Sequence, residues 1–201
     1  MHISEGVLSA AVLVSGGAAA AAAVAAGLKK TDYEGIVNVA ILSSAFFVAS
    51  LIHVNIGPSS VHLVLNGIVG LLLGWAAFPA ILVALLLQAV FFQYGGITVL
   101  GVNTLIMAVP AIVVYYLFSP FLKKGPGAVF AASAAAGAVS IFLSAALLGA
   151  ALYLTEKEFL EMTLVIISAH VPVMIIEAIV TGFCVTFLKK VYPEILPEKS
   201  R

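Results

Sequence analysis

Residues 7–28 read VLSAAVLVSGGAAAAAAVAAGL, a run of small and apolar side chains that contains no charged residue. A helix needs about 20 predominantly apolar residues to cross the hydrocarbon core of a bilayer. The basic pair Lys29 and Lys30 follows the run, whereas a cleavable signal peptide carries its positive charge ahead of a shorter apolar core. We therefore predict a retained membrane-spanning helix at the start of the chain.

The composition extends this prediction to the whole molecule. Of 201 residues, 63% are hydrophobic and 9% are charged, and the mean hydropathy is +1.22. Soluble domains carry about 25% charged residues, so this chain has too little polar surface to cover a globule in water. We predict an all-α integral membrane protein with a single membrane domain, residues 1–201. The formal net charge is zero, which gives no indication of a nucleic-acid partner, and we expect membrane lipid to surround the protein.

Six further apolar runs follow the first one. Together they predict a bundle of about seven transmembrane helices, in which the third and fourth runs are two helices broken at the dipeptide Gly74–Trp75. The third run is the shortest. The predicted spans are 7–28, 36–53, 60–73, 75–92, 99–122, 128–154 and 163–188.

Basic residues predict the orientation of the bundle, because they collect near span ends on the cytoplasmic side. With the N-terminus outside and seven crossings, the C-terminus is cytoplasmic and Lys157 is the one basic residue left outside. The basic residues then placed inside are Lys29, Lys30, Lys123, Lys124, Lys189, Lys190, Lys199 and Arg201. This orientation also places His2 outside.

The Gly- and Ala-rich stretch of residues 16–27 has two interpretations. Small residues allow helices to approach closely in lipid, so the stretch either packs against a neighbouring span or docks a second membrane subunit. The lone cysteine, Cys184, excludes an internal disulfide, and we expect it to be a small buried residue.

Several classes of enzyme are disfavoured by the motifs that are missing from the sequence. A GxxxxGK[ST] phosphate-binding loop is absent, so any ATP hydrolysis is expected on another chain. There is no H-E-x-x-H motif and no obvious pair of nucleophile and base. We expect no enzymatic activity, and a membrane zinc enzyme is the weakest alternative.

The four histidines are the strongest sign of function. Ionisable groups at membrane depth are costly and mark functional sites, and the predicted topology places His2, His53, His62 and His170 in the outer half of the bundle. Imidazole favours nickel, copper, zinc and iron over magnesium and calcium. The histidines therefore predict a transition-metal site.

The opening residues MHISEG offer a specific ligand set for that site. The free amine of Met1 has a pKa near 8. If the amide nitrogen of His2 gives up its proton, the amine, this nitrogen and the His2 ring supply three nitrogen donors in one plane. Tetragonal nitrogen geometry is typical of Ni(II) or Cu(II). His62 is the natural fourth donor, although it could instead be a buried histidine that bonds a helix carbonyl. For His53 we favour an interfacial role.

Two residues of the last span remain possible partners of the site. His170 precedes Pro172, so a helix carbonyl left without a partner could bond its ring. Glu177 follows two turns later on the same helical face, and we favour a carboxylate that is paired with a polar group inside the bundle.

Four motifs occur in this order: MHISEG, SSVHLVLNG, QYGGITVLGVNTLIMA and AHVPVMIIEAIVTG. They resemble the CbiM/NikM family, the substrate-binding (S) membrane subunits of energy-coupling-factor (ECF) transporters for cobalt and nickel. The resemblance implies that the N-terminus enters the protein from outside and that Met1, His2 and His62 hold the metal. It also implies that Asn103 holds a ligand ring beside the site. The other matching positions of the glycine loop are Gly95, Gly96, Thr98 and Gly101.

The resemblance further implies a multi-pass protein of a prokaryotic plasma membrane that imports Ni(II) or Co(II) as a substrate, without a permanent cofactor. The implied partners are a membrane coupling (T) subunit, cytoplasmic ATPase subunits and a small auxiliary membrane subunit. The residues leave the choice between nickel and cobalt open, and a stand-alone metal permease is the main alternative. The chain departs from many relatives at Val61 and Leu63, which flank the predicted ligand His62.

Overall fold

The computed structural model describes residues 2–31, 33–51, 53–56 and 59–196, without the side chains at positions 34, 53–56, 59–62, 159, 160 and 162. Within these ranges the chain is a helical bundle with one short hairpin. The elements are α1 Ala10–Lys29, α2 Tyr33–Ala49, β1 His53–Ile56, β2 Ser59–His62, α3 Asn66–Leu73, α4 Ala77–Phe92, α5 Leu100–Phe118, α6 Pro126–Thr155, α7 Leu160–Ala169 and α8 Val171–Val191.

The predicted multi-pass membrane protein is confirmed by the length and composition of these helices. Among the described residues, five helical segments are long and apolar enough to cross a membrane, and Gly35–Ala49 adds a shorter apolar helix. The five segments are Ala10–Lys29, Asn66–Phe92, Leu100–Lys123, Pro126–Thr155 and Val171–Val191. Asn66–Phe92 meets this criterion by length and composition, and it consists of α3, a 3-10 turn and α4.

Basic residues gather at one end of the bundle, which we call the lysine end. There the Lys30 ammonium lies 4.8 Å from the centroid of the Trp75 ring, and the Lys189 ammonium donates to the carbonyl of Lys124 at 2.6 Å. At the opposite, amino-terminal end, the backbone N–H of Ser9 donates to the hydroxyl of Thr155 at 3.3 Å. The two ends differ as the charge pattern predicts, and the side of the membrane that each end faces stays a prediction.

The third and fourth spans are two separate helices, as predicted. Helix α3 runs parallel to α5, since the Asn66 amide donates to the Met107 carbonyl at 3.4 Å and a methyl group added at Gly70 would lie 2.2 Å from the Ala111 carbonyl oxygen. The backbone of Gly74 has φ +53°, a conformation that glycine adopts easily. The chain reverses there, and α4 runs back toward the amino-terminal end.

The prediction of a helix over residues 60–65 is wrong. Residues Ser59–His62 form a strand that pairs antiparallel with His53–Ile56, with His53 directly opposite His62. Leu65 then takes a left-handed conformation with φ 59°, so the helix begins only at Asn66. With eight residues and a rise of about 1.5 Å per residue, α3 is too short to cross the membrane.

The last predicted span consists of two helices, α7 and α8, joined at His170. Pro172 has no N–H to continue the hydrogen-bond ladder of α7 and sits in the first turn of α8, the position where proline is tolerated. Both helices still pack along α6, because a methyl group at Gly149 would meet Thr163 and one at Gly137 would meet the backbone of Glu177. Cys184 is exposed on α8, which corrects the expectation that it is buried.

Helix α1 packs through its glycines. A methyl group added at Gly101 would lie 2.7 Å from the Cα of Gly17, and one added at Gly27 would lie 2.6 Å from the Trp75 carbonyl oxygen. These contacts support the interpretation of the stretch as an internal packing surface. The opposite face of α1 is exposed, since Ala20 and Gly27 are its buried residues.

Candidate metal centre

The amino-terminal segment, residues 2–9, docks on the amino-terminal end of the bundle, where Ile3 and Leu8 are buried and residues 4–7 are exposed. The side chain of Ile3 is only 4% exposed. Asn103, in the first turn of α5, accepts a hydrogen bond from the Ile3 N–H at 3.0 Å and donates to the Ile3 carbonyl at 3.0 Å. One buried side-chain amide therefore satisfies both backbone groups of the residue that follows His2.

The glycine loop between α4 and α5 holds the segment from its other side. The N–H of Glu5 donates to the Gly95 carbonyl at 3.2 Å. The Glu5 carboxylate accepts from the N–H and the hydroxyl of Thr98 at 3.0 and 3.1 Å. These hydrogen bonds favour the charged form, so they lower the pKa of Glu5 below its ordinary value.

Glycine is required at both positions of this loop. Gly95 and Gly96 have φ +74° and +132°, a region that other residues rarely adopt. A methyl group at Gly96 would lie 2.1 Å from the Cγ atom of Glu5, and one at Gly95 would lie 2.8 Å from the Asn103 amide nitrogen. The two glycines thus leave the space that the amino-terminal segment fills. Gly101, which the motif also contains, packs instead against Gly17 of α1.

His2 lies between the end of α4 and the glycine loop. Its Nε2 atom is 2.7 Å from the side-chain oxygen of Gln88, and its ring centroid lies 6.2 Å from that of Tyr94. Gln88 is fully buried. Sequence reasoning missed this residue, although the signal was visible as a single polar side chain in the apolar run AILVALLLQAVFF, residues 80–92.

The predicted fourth ligand can be followed only through its backbone. His62 ends β2, opposite His53 of β1, and the side chains of both lie outside the described part of the chain. Asn66, four residues on, contacts the carbonyl of Met107 at 3.4 Å. Met107 is one helical turn along α5 from Asn103. The chain that follows His62 therefore approaches α5 one turn from the residue that holds the amino-terminal segment.

Glu177 and His170 both bond to backbone groups. The Glu177 carboxylate accepts hydrogen bonds from the N–H groups of Val64 and Leu65, the latter at 3.0 Å. It therefore anchors the start of α3, two residues after His62. The Nδ1 atom of His170 lies 2.7 Å from the Ile166 carbonyl oxygen, one turn earlier in α7.

The predicted ligand set falls partly beyond what the structure describes. Met1 is outside the described residues, as is the side chain of His62. Among the residues that are described, no three His, Cys, Asp or Glu side chains converge on a metal position. The ligand assignment to Met1, His2 and His62 thus stays a prediction, whereas the docking of residues 2–5 beside Asn103, Gly95 and Gly96 is observed.

The fold and the site define a class: a multi-pass membrane protein that docks its own amino-terminal segment, with Ile3 buried, against α4, α5 and the loop that joins them. Solved structures of transition metal transporters share this fold. A transition metal transporter superimposes with a TM-score of 0.82 over 95% of this chain and 93% of its own, at 29% identity. A truncated transition metal transporter gives 0.80 over 95% and 99%, also at 29% identity.

The chain belongs to the CbiM family, described as the cobalt uptake substrate-specific transmembrane region, whose model matches residues 2–195. A putative metal transport protein of Haemophilus influenzae is 42% identical over 98% of this chain and 97% of its own length. The cobalt transport protein CbiM of Sorangium cellulosum is 26% identical over 98% and 94%. The fused nickel transport protein NikMN of Rhodobacter capsulatus is 38% identical over 54% of this chain and 33% of its own.

These matches confirm the resemblance drawn from the motifs. The chain is a membrane protein of cobalt and nickel transport. Its relatives are transport proteins, which favours a transport role over an enzymatic one. A multi-pass protein of this family agrees with the predicted prokaryotic plasma membrane.

Proposed function

We propose that this chain is the substrate-specific subunit of an energy-coupling-factor importer and that it captures Ni(II) or Co(II) at the outer face. The ligands are the amine of Met1, the amide nitrogen and imidazole of His2, and the imidazole of His62. The observation that carries the proposal is the docking of the amino-terminal segment through Ile3 and Glu5.

A segment held in this way meets the main requirement of a planar chelate. An amine, a deprotonated amide nitrogen and an imidazole from two adjacent residues close two fused rings in which the three nitrogen atoms share one plane, so a backbone that is already held in place favours the chelate. The hydrogen bonds to Asn103, Gly95 and Thr98 fix the backbone just after His2. The segment then has little conformational entropy left to lose when the metal binds.

The orientation of the bundle follows from its charges. The lysine end faces the cytoplasm, and the amino-terminal end, with His2 and Lys157, faces outward. Metal is captured from outside by this arrangement. The energy for inward release comes from ATPase subunits on other chains, which act through a membrane coupling subunit. A small auxiliary membrane subunit completes the assembly, as the fused names of the nickel relatives suggest.

The capture site is tested by titrating the purified protein, with its natural N-terminus free, with Ni(II) and Co(II) while the visible spectrum is recorded. One equivalent of Ni(II) should give the yellow absorption band of a planar nitrogen complex. His2→Ala and a variant with one residue added before Met1 should both lose the band. His170→Ala is the matched control, because the ring of His170 bonds to a helix carbonyl, and it should keep the band. Binding that survives both changes at the N-terminus would contradict the site.

The role as one subunit of an importer is tested in proteoliposomes. Uptake of radioactive Ni(II) or Co(II) should require the coupling subunit, the ATPase subunits and ATP in addition to this chain. Uptake by this chain alone would instead identify a stand-alone permease.

A further inference from the structure

We infer that Gln88 is a positioning residue that fixes the tautomer of His2 and thereby turns the Nδ1 atom of that ring toward the metal. The carboxamide oxygen of Gln88 lies 2.7 Å from the Nε2 atom of His2. An amide oxygen can only accept a hydrogen bond, so Nε2 carries the proton and Nδ1 keeps its lone pair.

The chelate needs this tautomer. A ring closed through the His2 amide nitrogen, Cα, Cβ, Cγ and Nδ1 has six members once the metal is included. The Nε2 atom is on the far side of the imidazole and cannot close such a ring. In the other tautomer the lone pair is on Nε2 and the proton is on Nδ1. That proton would have to leave Nδ1 before this atom could bind the metal. Gln88 removes that step, because a hydrogen bond at one ring nitrogen decides which nitrogen binds metal.

The surroundings of Gln88 in α4 indicate that packing alone does not explain why a glutamine occupies this position. The side chain is fully buried, and its neighbours in the helix are apolar. Within the described part of the chain its amide nitrogen has no hydrogen-bond partner. Burying a polar group without a partner costs free energy, so a leucine at this position would pack at lower cost. The hydrogen bond to His2, 86 residues away in sequence, is the contact that a glutamine adds.

Burial also makes the hydrogen bond from Gln88 a firm constraint. Water cannot easily replace an acceptor that is fully enclosed, and a hydrogen bond in a low-dielectric interior is stronger than one in water. On the other side of the histidine, the backbone of Ile3 is held by Asn103. The ring and the chain on which it sits are therefore both oriented before any metal arrives.

Two variants of Gln88 separate this role from a structural one. Gln88→Met keeps the length of the side chain and removes the acceptor, whereas Gln88→Glu keeps an acceptor oxygen. We expect Gln88→Met to weaken Ni(II) binding by about 10- to 100-fold, the range usual for the loss of a partner of a ligating histidine. Gln88→Glu should keep most of the affinity. Ser133→Ala, which removes another fully buried polar atom in α6, is the control and should bind as the wild type does.

The tautomer itself is measured without metal. Nitrogen NMR of the metal-free protein labelled in histidine, with His2→Ala used to assign the signal, should show protonated Nε2 and unprotonated Nδ1 at His2. In Gln88→Met the population of the Nε2–H tautomer should fall toward that of an imidazole in water, while thermal unfolding stays close to that of the wild type. A His2 ring protonated at Nδ1 in the wild type would overturn the inference, and so would a tautomer population that is the same in Gln88→Met as in the wild type.

The two measurements distinguish this inference from the proposed function on which its metal-binding part rests. If the wild type binds Ni(II) at its N-terminus and Gln88→Met binds equally tightly, the inference is wrong and the proposed function stands. If the wild type binds no metal there, the proposed function fails, and the inference fails with it as a statement about metal, whatever the NMR shows of the tautomer.

Discussion

Two segments from the start of the chain pack against α5, and they do so in different ways. The amino-terminal segment is held by directional hydrogen bonds, in both directions with Asn103 of α5 and from Thr98 just before that helix. Helix α1 is held by shape, with Gly17 against the backbone of Gly101. In a membrane, close packing of small residues is enough to join two helices. The polar contacts at buried Asn103 are therefore better explained by the need to place His2 than by the need to hold the bundle together.

The largest expected effect on Ni(II) affinity comes from removing the hydrogen bonds between Asn103 and the backbone of Ile3. Asn103→Leu leaves the buried N–H and carbonyl of Ile3 without partners, at a cost of about 1–3 kcal/mol for each group. We expect Ni(II) affinity to fall by roughly 100-fold or more at that cost. The thermal midpoint of the bundle should change little, because the segment can leave its site while the helices stay packed. Isothermal titration calorimetry and thermal unfolding in the same detergent measure the two effects.

A matched control for Asn103→Leu lies at the next position. Thr104 is also fully buried, but its hydroxyl donates to the Leu100 carbonyl within its own helix at 2.8 Å. Thr104→Val should bind Ni(II) as the wild type does. Equal losses of affinity in the two variants would mean that α5 tolerates no substitution at positions 103 and 104. The hydrogen bonds of Asn103 would then have no special role in holding the amino-terminal segment.

The reverse pattern is expected where α1 meets α5. The methyl group of Gly101→Ala would fall 2.7 Å from the backbone of Gly17, so the helices must separate, at a cost of about 1–3 kcal/mol. We predict a lower thermal midpoint with a Ni(II) affinity per folded molecule within a few-fold of the wild type. Gly127→Ala, whose methyl group meets no atom within 4 Å, should change neither quantity. A large loss of affinity in Gly101→Ala at unchanged stability would show that α1 also sets the metal site.

The smallest expected effect concerns Glu5, which is exposed. Its pKa lies below the ordinary value because Thr98 donates to the carboxylate. Its contribution to docking is therefore complete above the ordinary carboxyl pKa and disappears as the pH falls through the lowered one. At neutral pH, Glu5→Gln should weaken Ni(II) binding by a few-fold, as expected for one exposed charge-assisted hydrogen bond.

The pH dependence of Glu5→Gln checks this account. The measurement uses the metal-free proteins, because protonation of the nitrogen ligands abolishes Ni(II) binding at acidic pH. Hydrogen-exchange protection of the Ile3 N–H, which bonds to Asn103, should be weaker in Glu5→Gln at neutral pH and should converge with that of the wild type at the acidic end. Glu158→Gln, at another exposed glutamate, should follow the wild type throughout. A difference between wild type and Glu5→Gln that stays constant down to acidic pH would contradict the role given to the carboxylate.

The sequence predicts the membrane helices well because their length and apolar character are local properties. Helix α5 was expected over residues 99–122 and is found at Leu100–Phe118 with a short 3-10 turn to Lys123. The break at Gly74 could also be predicted, since glycine adopts the backbone conformation that the reversal requires.

Predictions fail where a distant residue decides the local structure. Residues 60–65 form the end of a strand and a left-handed turn. The N–H groups of Val64 and Leu65 within this stretch bond to Glu177, more than 100 positions later. The same holds for Gln88. Its polarity stands out in the sequence, but its partner His2 lies 86 residues earlier, and no local pattern connects the two residues. The residues of the glycine loop were found because their motif is specific, while the reason for the glycines, the space taken by Glu5, became visible only in the structure.

The central claim, that the first residues of the chain are themselves the metal ligands, is tested most directly by X-ray absorption at the nickel edge. The Ni(II)-loaded protein with a free N-terminus should show a four-coordinate, planar shell made of nitrogen donors alone. The variant with one residue added before Met1 should lose that spectrum. A six-coordinate shell that contains oxygen donors, or the same planar spectrum in both proteins, would contradict the account.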